Sequence, residues 1–105
     1  MILIVDSGST KSDWIAIDSK TGNHFFERQR TSGLNPAIIT KFEAIDIINK
    51  NKIITNHRLR FEYVFFYGAG CGTVKASRML KNILKSIFSN AKVSVKEDTY
   101  AALFS

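Results

Sequence analysis

The residues with the clearest chemical potential follow the first apolar stretch of the chain. Ile2–Val5 is a short apolar run that ends at a carboxylate, Asp6, and Ser7-Gly8-Ser9-Thr10-Lys11 comes directly after it. Asp6 can hold a divalent cation directly or through water. The hydroxyls, the lysine and the backbone amides that follow are donors for phosphate oxygens, and Gly8 can approach a ligand closely or take a positive φ. This stretch predicts a phosphate site beside a metal-binding carboxylate.

An ordinary hairpin is the alternative interpretation of the same stretch. Asp, Ser and Gly are common in turns because they form local hydrogen bonds or tolerate unusual backbone angles. A Walker A loop is excluded, since the GxxxxGK[ST] spacing is missing and a strand pattern, rather than a helix, follows.

Three later positions place polar groups or glycines where a strand ends or a helix begins. Asn35 precedes Pro36, and Asp98 precedes Thr99, so each side chain suits a helix N-cap. Gly68-Ala69-Gly70 follows an aromatic strand pattern and suits a strand-to-helix turn. It does not match GxGxxG, so a dinucleotide site has little support.

The elements that must position these residues are predicted from periodicity and turn signals. The predicted strands are residues 2–6, 13–18, 24–31, 61–67 and 93–95. The predicted helices are residues 36–50, 74–89 and 99–104, and the first of them is expected to bury Ile38, Phe42, Ile45 and Ile48. Short connections make the first three strands an antiparallel meander. The following alternation of strands and helices predicts an α/β fold, a mixed five-stranded sheet in the order 3-2-1-4-5 with helices on its faces.

The totals exclude several classes of protein. A chain of 105 residues with 45% hydrophobic content suits one domain with its own core. The single cysteine, Cys71, cannot form an internal disulfide, and no CxxC pair is present to hold zinc. No apolar run approaches the ~18 residues of a membrane span, and the N-terminus lacks the basic start of a signal peptide. We therefore expect a cytoplasmic protein with no membrane partner.

The net charge of +6 raises the question of a nucleic-acid partner. Lysines and arginines are scattered from Lys11 to Lys96 without forming a block, which favours solvated helix faces and no nucleic acid. A two-metal nuclease would also need carboxylates at adjacent strand ends. The fourth predicted strand ends at Tyr67-Gly68, without an acid.

Four short motifs resemble one branch of a kinase superfamily. They are DSGSTKSDW (6–14), TSGLNP (31–36), FFYGAGC (65–71) and VKEDTYAAL (95–103). The first resembles the phosphate loop of sugar kinases, actin and heat-shock ATPases, close to D-G-G-[GS]-T-K, with Ser7 in place of the commoner glycine. Together and in this order they resemble the BadF/BadG/BcrA/BcrD ATPase family, which includes N-acetylglucosamine kinases. The resemblance implies a ribonuclease-H-like fold.

The resemblance also implies roles for individual residues and two cofactors, ATP and Mg²⁺. Asp6 would hold the metal, and Asp98 would be the base that takes the proton of the sugar hydroxyl. The residues implied at the phosphates are Ser7, Gly8, Ser9, Thr10 and Lys11. The residues implied at the sugar are Asn35, Gly68, Ala69 and Gly70.

In the family a second domain of the same fold supplies the adenosine pocket, and nothing in this sequence matches it. The resemblance thus implies that residues 1–105 are the N-terminal domain of a two-domain sugar kinase or ATPase, inactive alone. Its partners would be N-acetylglucosamine or a related amino sugar and the missing C-terminal domain, with a homodimer left open. The alternatives are an ATPase that activates a dehydratase, for which the lone Cys71 gives no support, and a single domain without catalysis.

Overall fold

The fold is described here from a computed structural model, which covers residues 1–97 of the chain. Residues 98–105 lie outside the described part, and with them the candidate base Asp98 and the predicted helix 99–104. The strands are β1 (Ile2–Ser7), β2 (Lys11–Ile17), β3 (Gln29–Ser32), β4 (Tyr63–Gly68) and β5 (Lys92–Glu97). The helices are α1 (Lys41–Lys50), α2 (Lys52–Asn56) and α3 (Val74–Ile87).

The five strands form one mixed sheet in the order β3-β2-β1-β4-β5, as predicted. β2 is antiparallel to both β1 and β3, whereas β4 and β5 run parallel to β1. The register aligns Ser7 with Gly68 and Gly68 with Glu97. Three parallel strands therefore end level with one another at a single edge of the sheet.

One core holds the sheet and the helices together. Alternate strand residues such as Leu3, Val5, Val64 and Phe66 are fully buried, because successive side chains of a strand point to opposite faces. The buried residues Ala44 and Ile48 of α1, Ile54 of α2, and Leu80, Ile83 and Leu84 of α3 belong to the same cluster. The strand residues between, such as Ile4 and Phe65, are only half-buried.

Helix α1 begins five residues later than predicted. Its N-cap is Thr40, which accepts a hydrogen bond from the Glu43 amide while the Glu43 carboxylate accepts one from the Thr40 amide. This capping box satisfies two of the amides that a helix start leaves unpaired. Of the predicted buried positions, Ile48 is buried and Ile45 half-buried, whereas Ile38, which precedes the helix, and Phe42, in its first turn, are 68% and 80% exposed.

The third strand is also shorter than predicted, and the reason is a cluster of aromatic rings. β3 starts at Gln29, and before it only Ile17 and His24 form an isolated bridge. Phe25 then packs edge-on against His57, with ring centroids 4.8 Å apart. The half-buried His57 lies just after α2, a helix that the sequence did not predict.

Within residues 1–97, no helix is long and apolar enough to cross a bilayer.

Candidate functional site at the carboxyl edge of the sheet

The turn between β1 and β2 presents a group of unused hydrogen-bond donors. The Gly8 amide donates to the Lys11 carbonyl at 2.8 Å and so closes the turn. Ser9, Thr10 and Lys11 are exposed, and the amides of Ser9 and Thr10 have no hydrogen-bond partner among residues 1–97. Exposed amides, hydroxyls and an ammonium group on one turn suit the oxygens of a phosphate.

Gly8 does not adopt the positive φ that its residue type allows. Positive φ among the described residues is confined to Gly22 and Gly70. The close approach occurs at Gly33 instead, where an added Cβ would lie 2.5 Å from the Gly8 carbonyl oxygen and 2.6 Å from that of Ser9. Gly33 thus lets the loop after β3 lie directly against the turn after β1.

The Ser7 side chain has a structural task. It is fully buried, and its hydroxyl oxygen accepts hydrogen bonds from the Ser12 hydroxyl at 2.7 Å and the Leu34 amide at 2.9 Å. The Ser7 carbonyl accepts a further bond from the Ala69 amide at 2.9 Å. Ser7 therefore joins three segments, and its buried hydroxyl is already engaged in hydrogen bonds within the chain.

Asn35 is held in a fixed orientation beside the turn after β4. Its Oδ1 accepts from the Ala37 amide at 2.9 Å, and its carbonyl accepts from the amides of Ile38 and Ile39. An added Cβ on Gly70, whose φ is +79°, would lie 1.9 Å from Asn35 Oδ1. The Nδ2 donor of Asn35 makes no hydrogen bond within the described part of the chain. Asn35 thus caps a turn, as expected of its residue type, and keeps a donor group unused.

The structure brings three of the predicted segments together. Ala69 and Ser7 are hydrogen-bonded, Leu34 and Ser7 are hydrogen-bonded, and Gly70 packs on Asn35. The turn 8–11, the loop 33–35 and the turn 68–70 therefore meet at the edge where the parallel strands end. Asp98 falls outside the described residues, although Glu97, the last residue of β5, is level with Gly68.

The candidate metal ligand Asp6 is exposed on β1 and has Asp13 of β2 as its register partner. The sequence assigned no role to Asp13. Asp13 Oδ1 accepts a hydrogen bond from Arg30 Nε at 2.9 Å, and this bond raises the pKa of the Arg30 guanidinium. The Asp6–Asp13 pair could have been predicted from the sequence, because the short turn between β1 and β2 sets the register that places these two residues opposite each other. In residues 1–97, no group of three or more metal-ligating side chains comes together.

Comparison with solved structures shows what this chain is similar to. No family model matches the chain, and no curated protein matches it either. A crystal structure from Porphyromonas gingivalis, described as the "putative N-acetylglucosamine kinase", superposes with a TM-score of 0.81 and is 35% identical. The match covers 93% of this chain and 34% of that chain. The resemblance to this kinase family is confirmed.

The chain is therefore sugar kinase-like in structure, and it spans about a third of the length of the protein it matches. The sugar kinase-like sheet also explains why the candidate residues lie where they do. Ligands of open α/β sheets bind outside the carboxyl ends of the strands, and the exposed turn 8–11, Asn35 and Gly70 all lie there.

Proposed function

We propose that this chain is the N-terminal domain of an ATP-dependent kinase for N-acetylglucosamine or a related amino sugar. The observation that supports it best is the meeting of a donor-rich turn, the Asn35 loop and the Gly68–Gly70 turn at one sheet edge. Phosphoryl transfer consists largely of positioning two substrates and neutralising phosphate charge. A site for it needs phosphate donors beside a place for the acceptor sugar, and these segments offer both.

The turn after β1 would bind the phosphates of ATP. The amides and hydroxyls of Ser9 and Thr10 and the ammonium of Lys11 are exposed, whereas the Ser7 hydroxyl is engaged inside. Asp6 fits Mg²⁺, because this ion usually takes one or two carboxylates and completes its shell with water and substrate phosphates. When bound, Mg²⁺ would neutralise charge on the phosphates.

The sugar would lie beside Asn35. The Oδ1 atom of Asn35 is held by the Ala37 amide, so the amide group cannot rotate freely and Nδ2 keeps one direction. A fixed donor suits a sugar hydroxyl or an N-acetyl carbonyl. The small residues of the neighbouring turn, Gly68, Ala69 and Gly70, leave room for a ring, although the Ala69 amide is already bonded to Ser7.

Asp98 would be the general base. In the proposed step its carboxylate takes the proton of a sugar hydroxyl, and the hydroxyl oxygen forms a bond to the γ-phosphorus of ATP. The bond from that phosphorus to the β–γ bridging oxygen breaks, and ADP leaves with the electron pair. General-base catalysis of this kind contributes about 10²–10⁴-fold to a rate.

A second domain would supply the adenosine pocket. Correct positioning of two reactants can lower an activation barrier by ~7–11 kcal/mol. A chain that does not hold the adenosine of ATP positions the γ-phosphate less well, so its barrier is lowered less. We therefore expect the 105-residue chain to turn over ATP far more slowly than a protein that includes the second domain.

The test is sugar-dependent release of ADP, measured on the chain alone and on a protein that continues through the second domain. The longer protein should phosphorylate N-acetylglucosamine, and Asp98→Asn should lower its kcat about 10²–10⁴-fold. Asp46→Asn is the matched control, because Asp46 is exposed on α1 and, within residues 1–97, forms an ion pair with Lys50 alone. Unchanged kcat in Asp98→Asn would refute the base, and ATP hydrolysis indifferent to sugar would favour the dehydratase-activating ATPase.

A further inference from the structure

The basic excess of the chain is concentrated in one helix and one strand. Of the 15 lysines and arginines, six lie in residues 74–97, together with a single one of the 9 acidic residues, Glu97. The rest of the chain carries nine basic and eight acidic residues and is close to neutral. The six are Lys75, Arg78, Lys81, Lys85, Lys92 and Lys96. Although they form no continuous block, these six cations belong to two neighbouring elements, α3 and β5, and the segment that joins them.

Three of these cations line a groove between α3 and β5, which has a volume of about 510 Å³. Arg78, Lys81 and Lys96 line it, together with the hydrogen-bonding side chains of Ser77, Asn82 and Ser94. No acidic side chain of residues 1–97 lines the groove. Neither Arg78 nor Lys81 takes part in an ion pair within the same residues. Arg78 and Lys81 thus bring positive charge to the groove that no ion pair within residues 1–97 compensates.

The backbone beside this groove also has one side that pairs with no other described strand. β5 is the last strand of the sheet and pairs only with β4 among the described strands. An edge strand exposes N–H and C=O groups that can accept another strand. Peptide recognition by strand addition takes its affinity from these groups and its specificity from flanking side chains.

We propose that the groove between α3 and β5 binds an extended acidic segment of a partner protein, which adds a strand to β5. The backbone of the segment would pair with β5 beside Ser94 and Val95, and its carboxylates would meet Arg78 and Lys81. This surface is separate from the turn 8–11 and from Asn35, so the inference does not depend on the proposed kinase activity.

Other occupants fit the groove less well. A second copy of the chain would bring one set of lysines against another, which costs free energy. Single-stranded nucleic acid usually stacks its bases on aromatic side chains, and none of the lining residues is aromatic. A lipid surface needs a broad apolar face, and the only large exposed apolar side chain at the groove, within the described residues, is Val74.

The test uses the 105-residue chain and a fluorescent peptide of alternating valine and glutamate with blocked ends. The proposal predicts saturable binding, weakened about tenfold or more in Arg78→Glu/Lys81→Glu. Lys20→Glu/Lys52→Glu is the control, because it makes the same change in charge at exposed positions far from the groove in sequence and should change Kd less than about twofold. A peptide N-methylated at alternate residues should also bind about tenfold more weakly, since it cannot donate the strand hydrogen bonds.

Each other outcome would overturn the proposal. If the peptide does not bind at all, Lys92 and Lys96 act only to protect the edge strand from aggregation. Equal loss in both double variants would mean that overall charge alone attracts the peptide. Unchanged affinity of the N-methylated peptide would exclude strand addition, and tighter binding of a single-stranded oligonucleotide would point to nucleic acid. Circular dichroism must show that both variants are folded.

Discussion

Gly70 and Asn35 are packed so closely that no side chain fits between them. A Cβ on Gly70 would lie 1.9 Å from Asn35 Oδ1 and 2.7 Å from its Cγ. Since the Ala37 amide holds the same Oδ1 atom, Asn35 has little freedom to move aside. The turn after β4 thus fixes the position of the side chain that we propose binds sugar.

Gly70→Ala should therefore destabilise the chain more than an ordinary glycine replacement does. A positive φ costs an L-residue ~1–2 kcal/mol, and crowding of a packed site adds ~1–3 kcal/mol. Gly22→Ala is the matched control, because Gly22 has a φ of +76° and nothing within 4 Å of an added Cβ. Urea unfolding of both variants gives the comparison. Equal losses of unfolding free energy would show that Asn35 is free to move.

Ser7→Ala should cost about 1–3 kcal/mol of unfolding free energy, because the buried Leu34 amide loses its acceptor. Ser9→Ala, in the exposed part of the same turn, should change stability by less than about 0.5 kcal/mol. The measurement is again urea unfolding. A Ser7 variant as stable as the Ser9 variant would mean that the buried hydroxyl does not hold the loop in place.

Thr40→Ala should lower the unfolding free energy by ~1 kcal/mol, because it removes the side-chain acceptor of the capping box at the start of α1. Thr10→Ala serves as the control, since Thr10 is exposed and its hydroxyl makes no hydrogen bond within residues 1–97. Amide exchange at Glu43 should speed up only in the Thr40 variant. If the Glu43 amide stays equally protected from exchange in Thr40→Ala, the Thr40 side chain does not cap the helix.

The Asp18 carboxylate should titrate below its usual pKa of 3.8, because it accepts hydrogen bonds from the amides of Lys20 and Thr21. A lowered folded-state pKa adds stability that is present above the unfolded pKa and is lost as pH falls through the folded value. As the pH falls from 5, the unfolding free energy of the unsubstituted chain should thus drop slightly more than that of the Asp18→Ala variant. Carboxyl NMR titration measures the pKa directly, and a value above 3.8 would contradict the assignment.

The sheet could be predicted from sequence because its signals are local. Apolar runs, short turns and alternating helices define the strand order without reference to distant contacts, and Asp6 with the turn after it stands out by residue type. The convergence of that turn with Asn35 and Gly70 follows once the parallel strands end level.

The details that sequence missed depend on contacts between distant segments. Asn35 before Pro36 looks like a helix start, yet its turn closes on itself and Thr40 begins the helix. Ser7 looks like a phosphate ligand, but its partner Leu34 lies 27 residues away and draws the hydroxyl inward. No sequence motif singles out His57, which is half-buried because Phe25 packs on it.

The most direct test of the central claim is an amide NMR titration of the ¹⁵N-labelled chain with MgATP and then with N-acetylglucosamine. We expect MgATP to shift the amide signals of Ser9, Thr10 and Lys11, and the sugar to shift those of Asn35 and Gly70. Lys11→Ala should weaken the MgATP response, whereas Lys20→Ala, in an exposed turn elsewhere, should not. Shifts confined to other surfaces, or equal responses in the two lysine variants, would contradict a kinase site at the carboxyl edge of the sheet.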